Sequence, residues 1–431
     1  MFRKILYTRL SLGIFLVTVI LGLIFLLNPS WGIKGDGHGY YIYLRSLYFD
    51  HDLNFSNEYA RYDALYGTHF LQSAITPIGK LGNPFAIGLS IFWLPFFIAA
   101  RIFSAFNSPD YFLAGFADSY QVWLGFGSII YGIIGAIFLF CALKKLFSAR
   151  SAWSCVCAVI FLSPLVHYLV YEPLMSHALS FAVNSVLFWY SIIIYQAKEI
   201  RLKNLLMLGF LGGLVILVRW QEVFTWLVPL VILVKKLKEN KIKLRQIIIP
   251  PAVAFFCFIP QMIVWKYLYG SFLVIPQGQG FIQLGQLKIF AILFSGMHGL
   301  FSWHPLLLIG LVGLFVSYRR DRLLFYSLLA VFLGQIFING SVIDWWGGSA
   351  FGARKFIGAL FVFAYGFSYL LDFLSQKKFL YRLLVFVLLF GVFWNYFLLI
   401  SAPKGYLSLS ESVSYKQLYS APLKAAVDYF R

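Results

Sequence analysis

Apolar stretches of roughly 17 to 25 residues, separated by short polar and basic segments, recur along the whole of this 431-residue chain. At a rise of about 1.5 Å per residue, each is long enough to cross a hydrocarbon core of about 30 Å as a helix. The ten-residue alternation of an outer-membrane barrel is missing, and in lipid only helices or closed barrels satisfy the backbone. The pattern predicts an all-α polytopic membrane protein.

The polar punctuation sets the topology. Basic clusters stand at Arg3/Lys4/Arg9 and at 144–150, 198–203, 235–245, 318–322 and 376–382. Placing all six on the cytoplasmic side requires an even number of crossings between them. Eleven spans satisfy this: 5–27, 118–143, 151–170, 174–195, 204–219, 221–234, 247–267, 304–318, 323–338, 354–373 and 383–401. Residues 1–401 then form one transmembrane domain with a first outer loop at 28–117, and 402–431 form a short tail on the outer side. Residues 84–106 are apolar enough to span but would invert every later basic cluster. They are expected as a re-entrant or interfacial helix broken at Pro95, as is the apolar part of the outer loop at 288–303. The run from the N-terminus to Leu27 reads as an uncleaved first span, because LNPSWG offers no small-x-small cleavage site.

Composition sharpens this picture. At 61% hydrophobic, 20% aromatic and 12% charged, with a mean hydropathy of +0.81, the chain cannot cover a water-exposed globular surface. Its net charge of +19 flanks the spans, which records topology and attraction to anionic lipid rather than nucleic-acid binding. Cys141, Cys155, Cys157 and Cys257 lie inside apolar stretches without CxxC spacing and read as packing residues. No GxxxxGK[ST], GxSxG or strand-to-helix GxGxxG motif supports a nucleotide-binding or hydrolase reading.

The polar residues that remain are concentrated in outer segments. In the first loop, Tyr40, Tyr41, Leu44, Leu47 and Tyr48 recur at helical spacing opposite Arg45 and Ser46, the pattern of an amphipathic helix lying in the interface. Asp36 stands at its start between Gly35 and Gly37, either as a helix cap or as a carboxylate that the glycines leave open to substrate. Asp50-His51-Asp52 is a solvated turn or joins Asp36 around a divalent cation or a sugar hydroxyl. In VHYLVYEPLMSHALSF (166–181), Glu172 and His177 come to the same outer level, His177 being equally readable as a histidine satisfied inside the bundle. In NGSVIDWWGGSAFGARKF (339–356), Asp344 with Trp345 and Trp346 suits a sugar ring, or the tryptophans simply belt the interface. Arg354 and Lys355 open the following helix and offer a phosphate site. Arg219 is a second such candidate, since a guanidinium at that depth calls for an anion. Gln277, Gln279, Gln283 and Gln286, with His298 and His304, line a further outer loop, a mobile segment or an acceptor pocket.

An acid-bearing first outer loop with its helix, a second helix before the next span and basic cytoplasmic turns resemble the GT-C membrane glycosyltransferases. The likeness is to the bacterial RgtA/B/C/D-like and protein-mannosyltransferase-like members in particular. It covers roughly residues 1–400 and has one sharp motif, the first-loop acid, here Asp36. The resemblance implies transfer of a sugar from a polyprenyl-phosphate carrier to a lipid, glycan or protein acceptor, with inversion, on the outer face of a plasma membrane such as the bacterial inner membrane. Asp36 would be the general base, with Glu172 and His177 orienting substrate or, with a divalent cation, binding metal. Arg219, Arg354 and Lys355 would hold the donor phosphate, and Tyr40, Asp344, Trp345 and Trp346 the sugar. No cofactor is otherwise required. Two other classes fit the same residues: a transporter or flippase of lipid-linked sugars, and a non-catalytic partner in glycan assembly. A transporter would show internal repeats and midplane charges, which the sequence lacks.

Overall fold

A computed structural model describes residues 2–105 and 115–431; residue 1 and residues 106–114, the latter within the expected first outer loop, lie outside the described residues. The described chain is all-helical, with isolated bridges only at Ile75–Leu81 and Ile282–Val342. Its principal helices are α1 (Phe2–Leu27), α2 (Asp36–Arg45), α3 (Ser56–Tyr66), α4 (Gly88–Ala105), α5 (Asp118–Leu143), α6 (Ala149–Phe161), α7 (His177–Gln196) and α8 (Leu202–Val218). They continue with α9 (Leu227–Lys238), α10 (Ile249–Tyr269), α11 (Leu307–Val316), α12 (Arg322–Gly340), α13 (Leu360–Leu374), α14 (Lys378–Ser401) and α15 (Tyr415–Tyr429).

Seven helices, rather than eleven, are long and apolar enough to cross a membrane among the described residues: Leu10–Leu27, Asp118–Leu143, His177–Gln196, Leu244–Tyr269, Arg322–Gly340, Arg354–Leu374 and Lys378–Ser401. The other four expected spans fall on the shorter α6, α8, α9 and α11. The hydropathy runs did not stop where the helices stop. The span expected at 151–170 is interrupted at Leu162-Ser163-Pro164, whereas the turn expected between 204–219 and 221–234 is present at Arg219, whose extended backbone (φ −150°, ψ 105°) closes α8 before a 3₁₀ segment, Trp220–Trp226. The expected broken helix at 84–106 is instead the continuous α4, with Pro95 inside it. Pro95 removes one N–H from the ladder, and packing of α4 on α5 and α2 holds the helix across the gap.

Lipid provides no hydrophobic drive for helices to associate, so close approach of backbones and polar ties must hold the bundle. At the α11–α13 crossing a Cβ on Gly366 would lie 1.8 Å from the Gly310 carbonyl, so only glycine permits the contact. On the other face of the bundle, Asp372 at the end of α13 accepts hydrogen bonds from the Ser148 and Ser151 hydroxyls (2.8 and 2.6 Å), pinning the start of α6. Large apolar side chains remain exposed on α1, α10 and α14, among them Phe25, Phe256 and Phe386, as expected of surfaces that face lipid rather than water.

The first-loop helix departs most from expectation. α2 does not lie in the interface with one polar face; Gly37 through Arg45 are all buried. Its polar residues find protein partners instead. Arg45 Nη1 pairs with Glu58 (2.7 Å) and with Asp50, and Ser46 donates to Asp52 (2.9 Å). Asp50 and Asp52 are thus spent in holding the turn after α2 and stay away from Asp36.

Candidate active site

α2 begins at Asp36, after Gly35, with no side-chain cap, so the Asp36 carboxylate is free to face elsewhere. Gly37 does not open the acid to substrate as its position suggested. A Cβ there would sit 2.6 Å from the Leu174 carbonyl, so the glycine admits the Glu172–Ser176 segment against α2. That contact brings the Glu172–Ser176 segment beside the first loop.

A cavity of about 180 Å³ opens at this junction, lined by Asp36, Tyr40, Arg219, Asp344, Arg354 and Lys355, with Gln221, Gln277 and Asn339 among its other polar walls. Arg354 Nη1 lies 2.9 Å from Asp36 Oδ2 as an ion pair, off the direction of an ideal hydrogen bond. Lys355 Nζ donates to Asp344 Oδ1 and to the Asp344 carbonyl (2.9 and 2.7 Å). The Tyr40 hydroxyl and Arg219 Nη1 both donate to Ser176 Oγ, at 3.0 and 2.9 Å. Six of the ten residues to which the resemblance gives a role therefore meet around one space.

The other four take positions around it. Glu172 lies 3.6 Å from His167 Nε2. Burial opposes its ionisation, but His167, Arg354 and Lys34 outweigh that and hold the carboxyl below the usual range. His177 is buried behind the cavity with its ring 4.4 Å from that of Tyr168, and neither ring nitrogen has a protein partner. Trp345 packs on the main core, and the Trp346 carbonyl bonds His298 Nδ1 at 3.0 Å.

Glu222 is the residue that sequence reasoning passed over. Buried at the 3₁₀ turn after Arg219, it lies 3.5 Å from Arg219 Nε and accepts hydrogen bonds from Ser180 and Asn184 of α7. Arg219 thus has an internal anion and does not depend on a ligand for charge balance. The signal was present: an acid three residues after an arginine in a nearly uncharged stretch. Glu222→Ala would strand a buried guanidinium, and loss of about 3–5 kcal/mol is expected in detergent unfolding, with Arg219→Met/Glu222→Leu recovering much of it.

His38, on the far side of α2, faces Tyr62 at 4.1 Å between ring centroids. Burial pushes its pKa down to about 4, against a hydrogen bond to the Glu58 backbone and the charge of Asp63. A histidine held neutral stabilises fully above its unfolded pKa of about 6.5 and loses that contribution as pH falls towards 4, roughly 3 kcal/mol in all. His38→Phe, which keeps the ring, is expected to flatten this part of the stability–pH curve relative to the parent. A parallel shift of the whole curve would show that His38 does not titrate there.

Among the described residues no three His, Cys, Asp or Glu side chains gather as a metal-ligand set. Asp36 and Asp344, the carboxylates on the cavity, are each paired with a cation, and these donors do not fit a resident divalent ion.

Compared with models of protein families and with curated proteins, the sequence matches none. Among solved structures the chain superimposes over its whole length, with a TM-score of 0.52 and 14% identity, on the archaeal oligosaccharyltransferase AglB from Archaeoglobus fulgidus, solved with an inhibitory peptide and a dolichol-phosphate. The chain spans 55% of that protein's length. The likeness shows a shared fold, all-α and polytopic.

Proposed function

We propose that this protein is a membrane glycosyltransferase that takes a sugar from a polyprenyl-phosphate-linked donor and passes it to a lipid, glycan or protein acceptor at the outer face of a plasma membrane. The observation that carries the reading is the cavity that joins two partly exposed carboxylates, Asp36 and Asp344, to three cationic side chains, Arg219, Arg354 and Lys355. The shared fold with an oligosaccharyltransferase solved with dolichol-phosphate supports it.

The chemistry follows from the geometry. The acceptor oxygen attacks the anomeric carbon as its proton passes to Asp36, and the bond from that carbon to the phosphate oxygen breaks. The charge that develops on the departing polyprenyl phosphate falls to the guanidiniums of Arg219 and Arg354 and to the Lys355 ammonium. Before the donor binds, Arg354 neutralises Asp36; a phosphate competing for that guanidinium releases the carboxylate to act as base. Direct displacement inverts the anomeric centre. Tyr40 and Asp344 border the space left for the sugar, and Ser176 fixes the Tyr40 hydroxyl and the Arg219 guanidinium relative to each other.

Proteoliposomes loaded with polyprenyl-phosphate sugars are the direct test. Protein-dependent release of polyprenyl phosphate with label appearing in an acceptor is the expected result. Movement of intact donor between leaflets without cleavage would overturn it in favour of a transporter.

A further inference from the structure

Beside the Asp36 cavity lies a larger one, about 610 Å³. It meets the turn that carries Asp36 at Gly35, His38 and Gly39, and it shares Pro84, Phe85 and Gln277 with the Asp36 cavity. The two spaces adjoin along these shared walls, and Asp36, the residue after Gly35, lines the smaller one.

We propose that this groove is the acceptor subsite, and that the acceptor is an anionic lipid-borne amphiphile whose hydroxyl-bearing head reaches Asp36 while its apolar chain lies in the groove; this rests on the glycosyltransferase reading above. In a direct displacement the attacking oxygen and the departing phosphate stand on opposite faces of the anomeric carbon. With the phosphate assigned to Arg219, Arg354 and Lys355, the attacking hydroxyl needs an approach not filled by those cations, and the groove is the space that adjoins the Asp36 cavity.

The walls choose the chemical class. By area they are mainly apolar, with Phe70, Ile75, Pro77, Val274 and Ile275 among them beside the polar Ser73, Thr76, Gln277 and Gln279, a mixture that suits a hydrocarbon chain carrying a polar head better than an all-polar soluble glycan. Ile75 and Ile275 are exposed, and the apolar rim continues through the exposed Phe272 and Leu273, just beyond the end of the membrane-length helix α10. A chain of hydrocarbon can pass from the bilayer into the groove over that rim without crossing water.

Charge at the rim completes the match. Lys80 Nζ sits 3.2 Å from the centre of the Tyr267 ring, and Lys266 Nζ donates to the Gly270 carbonyl (2.9 Å). Both ammonium groups stand where α10 leaves its apolar stretch, the level of a lipid phosphate. The nearby acid, Asp63, is occupied by the Thr68 hydroxyl and the N–H groups of Phe70 and Leu71.

Native mass spectrometry of the purified full chain, with a C55 polyprenyl phosphate and dioleoyl phosphatidylglycerol as separate probes, tests the assignment. Leu273→Glu and Ile275→Glu, both at exposed positions, are expected to weaken phosphatidylglycerol binding by about tenfold or more, because a charge is placed against the chain. They should leave polyprenyl phosphate within about twofold of the parent, whereas Arg354→Ala should do the reverse. Loss of polyprenyl phosphate in the rim variants would assign the groove to the donor's tail and overturn the proposal, as would unchanged phosphatidylglycerol binding. A parent protein that binds phosphatidylglycerol through the rim but never polyprenyl phosphate would sink the donor reading and leave the amphiphile groove standing.

Discussion

Asp36→Asn, inserted and folded like the parent, is expected to lose sugar transfer by about 10²–10⁴-fold, the range for removing a general base. The amide keeps the shape of the side chain but has no site for the acceptor's proton. It also removes the negative partner of Arg354, so that guanidinium becomes more available to the donor phosphate. Polyprenyl phosphate should therefore bind the variant at least as well as the parent while turnover collapses. This split between binding and rate separates a base from a structural acid, whose loss would lower both with thermal stability. Full transfer activity in a stably folded Asp36→Asn protein would remove Asp36 from the mechanism.

Arg354→Ala is expected to reduce turnover by about 10²–10³-fold, comparable with losing one preorganised donor to a developing anion. It should weaken polyprenyl phosphate binding as well. Arg354→Lys is not expected to rescue it: Arg354 occupies a narrow space beside Asp36, and a single ammonium cannot serve the carboxylate and the phosphate with the planar fork that a guanidinium presents. The measurement is single-turnover transfer together with binding of polyprenyl phosphate in detergent. Parent-like turnover in Arg354→Ala would show that Arg219 and Lys355 suffice and that the Asp36–Arg354 pair is structural.

The sequence located most of this site because charge is scarce in the chain. Lipid-facing helices cannot carry ionised groups without cost, so the few acids and arginines in outer segments stood out. Asp36, Arg219, Asp344, Arg354 and Lys355, far apart along the chain, could each be picked by that argument. Glu222 escaped it because it looked like part of a short turn, and its meaning lies in Ser180 and Asn184 on another helix. For Asp50 and Asp52 the sequence left a turn and a place beside Asp36 both open, and the contacts with Arg45 and Ser46 favour the turn.

The fold divides in the same way. Composition and the length of the apolar runs determined that the chain is helical and polytopic, since lipid leaves the backbone few other solutions. They placed the turn at Arg219 but not the break near Pro164, which interrupts the backbone without lowering hydropathy enough to show. Nor could periodicity tell that α2 is buried on every face: an amphipathic pattern reports that a helix has two sides, and only the neighbours decide whether the polar side meets water or, as with Arg45 and Glu58, an ion-pair partner. The pairing of Asp36 with Arg354, and the gathering of Arg219, Arg354 and Lys355 around one cavity that adjoins an apolar groove, belong to the tertiary structure alone. They arise from the docking of α2, the Glu172–Ser176 segment and the start of the Arg354–Leu374 helix against one another, contacts between residues whose separation in sequence carries no local signal.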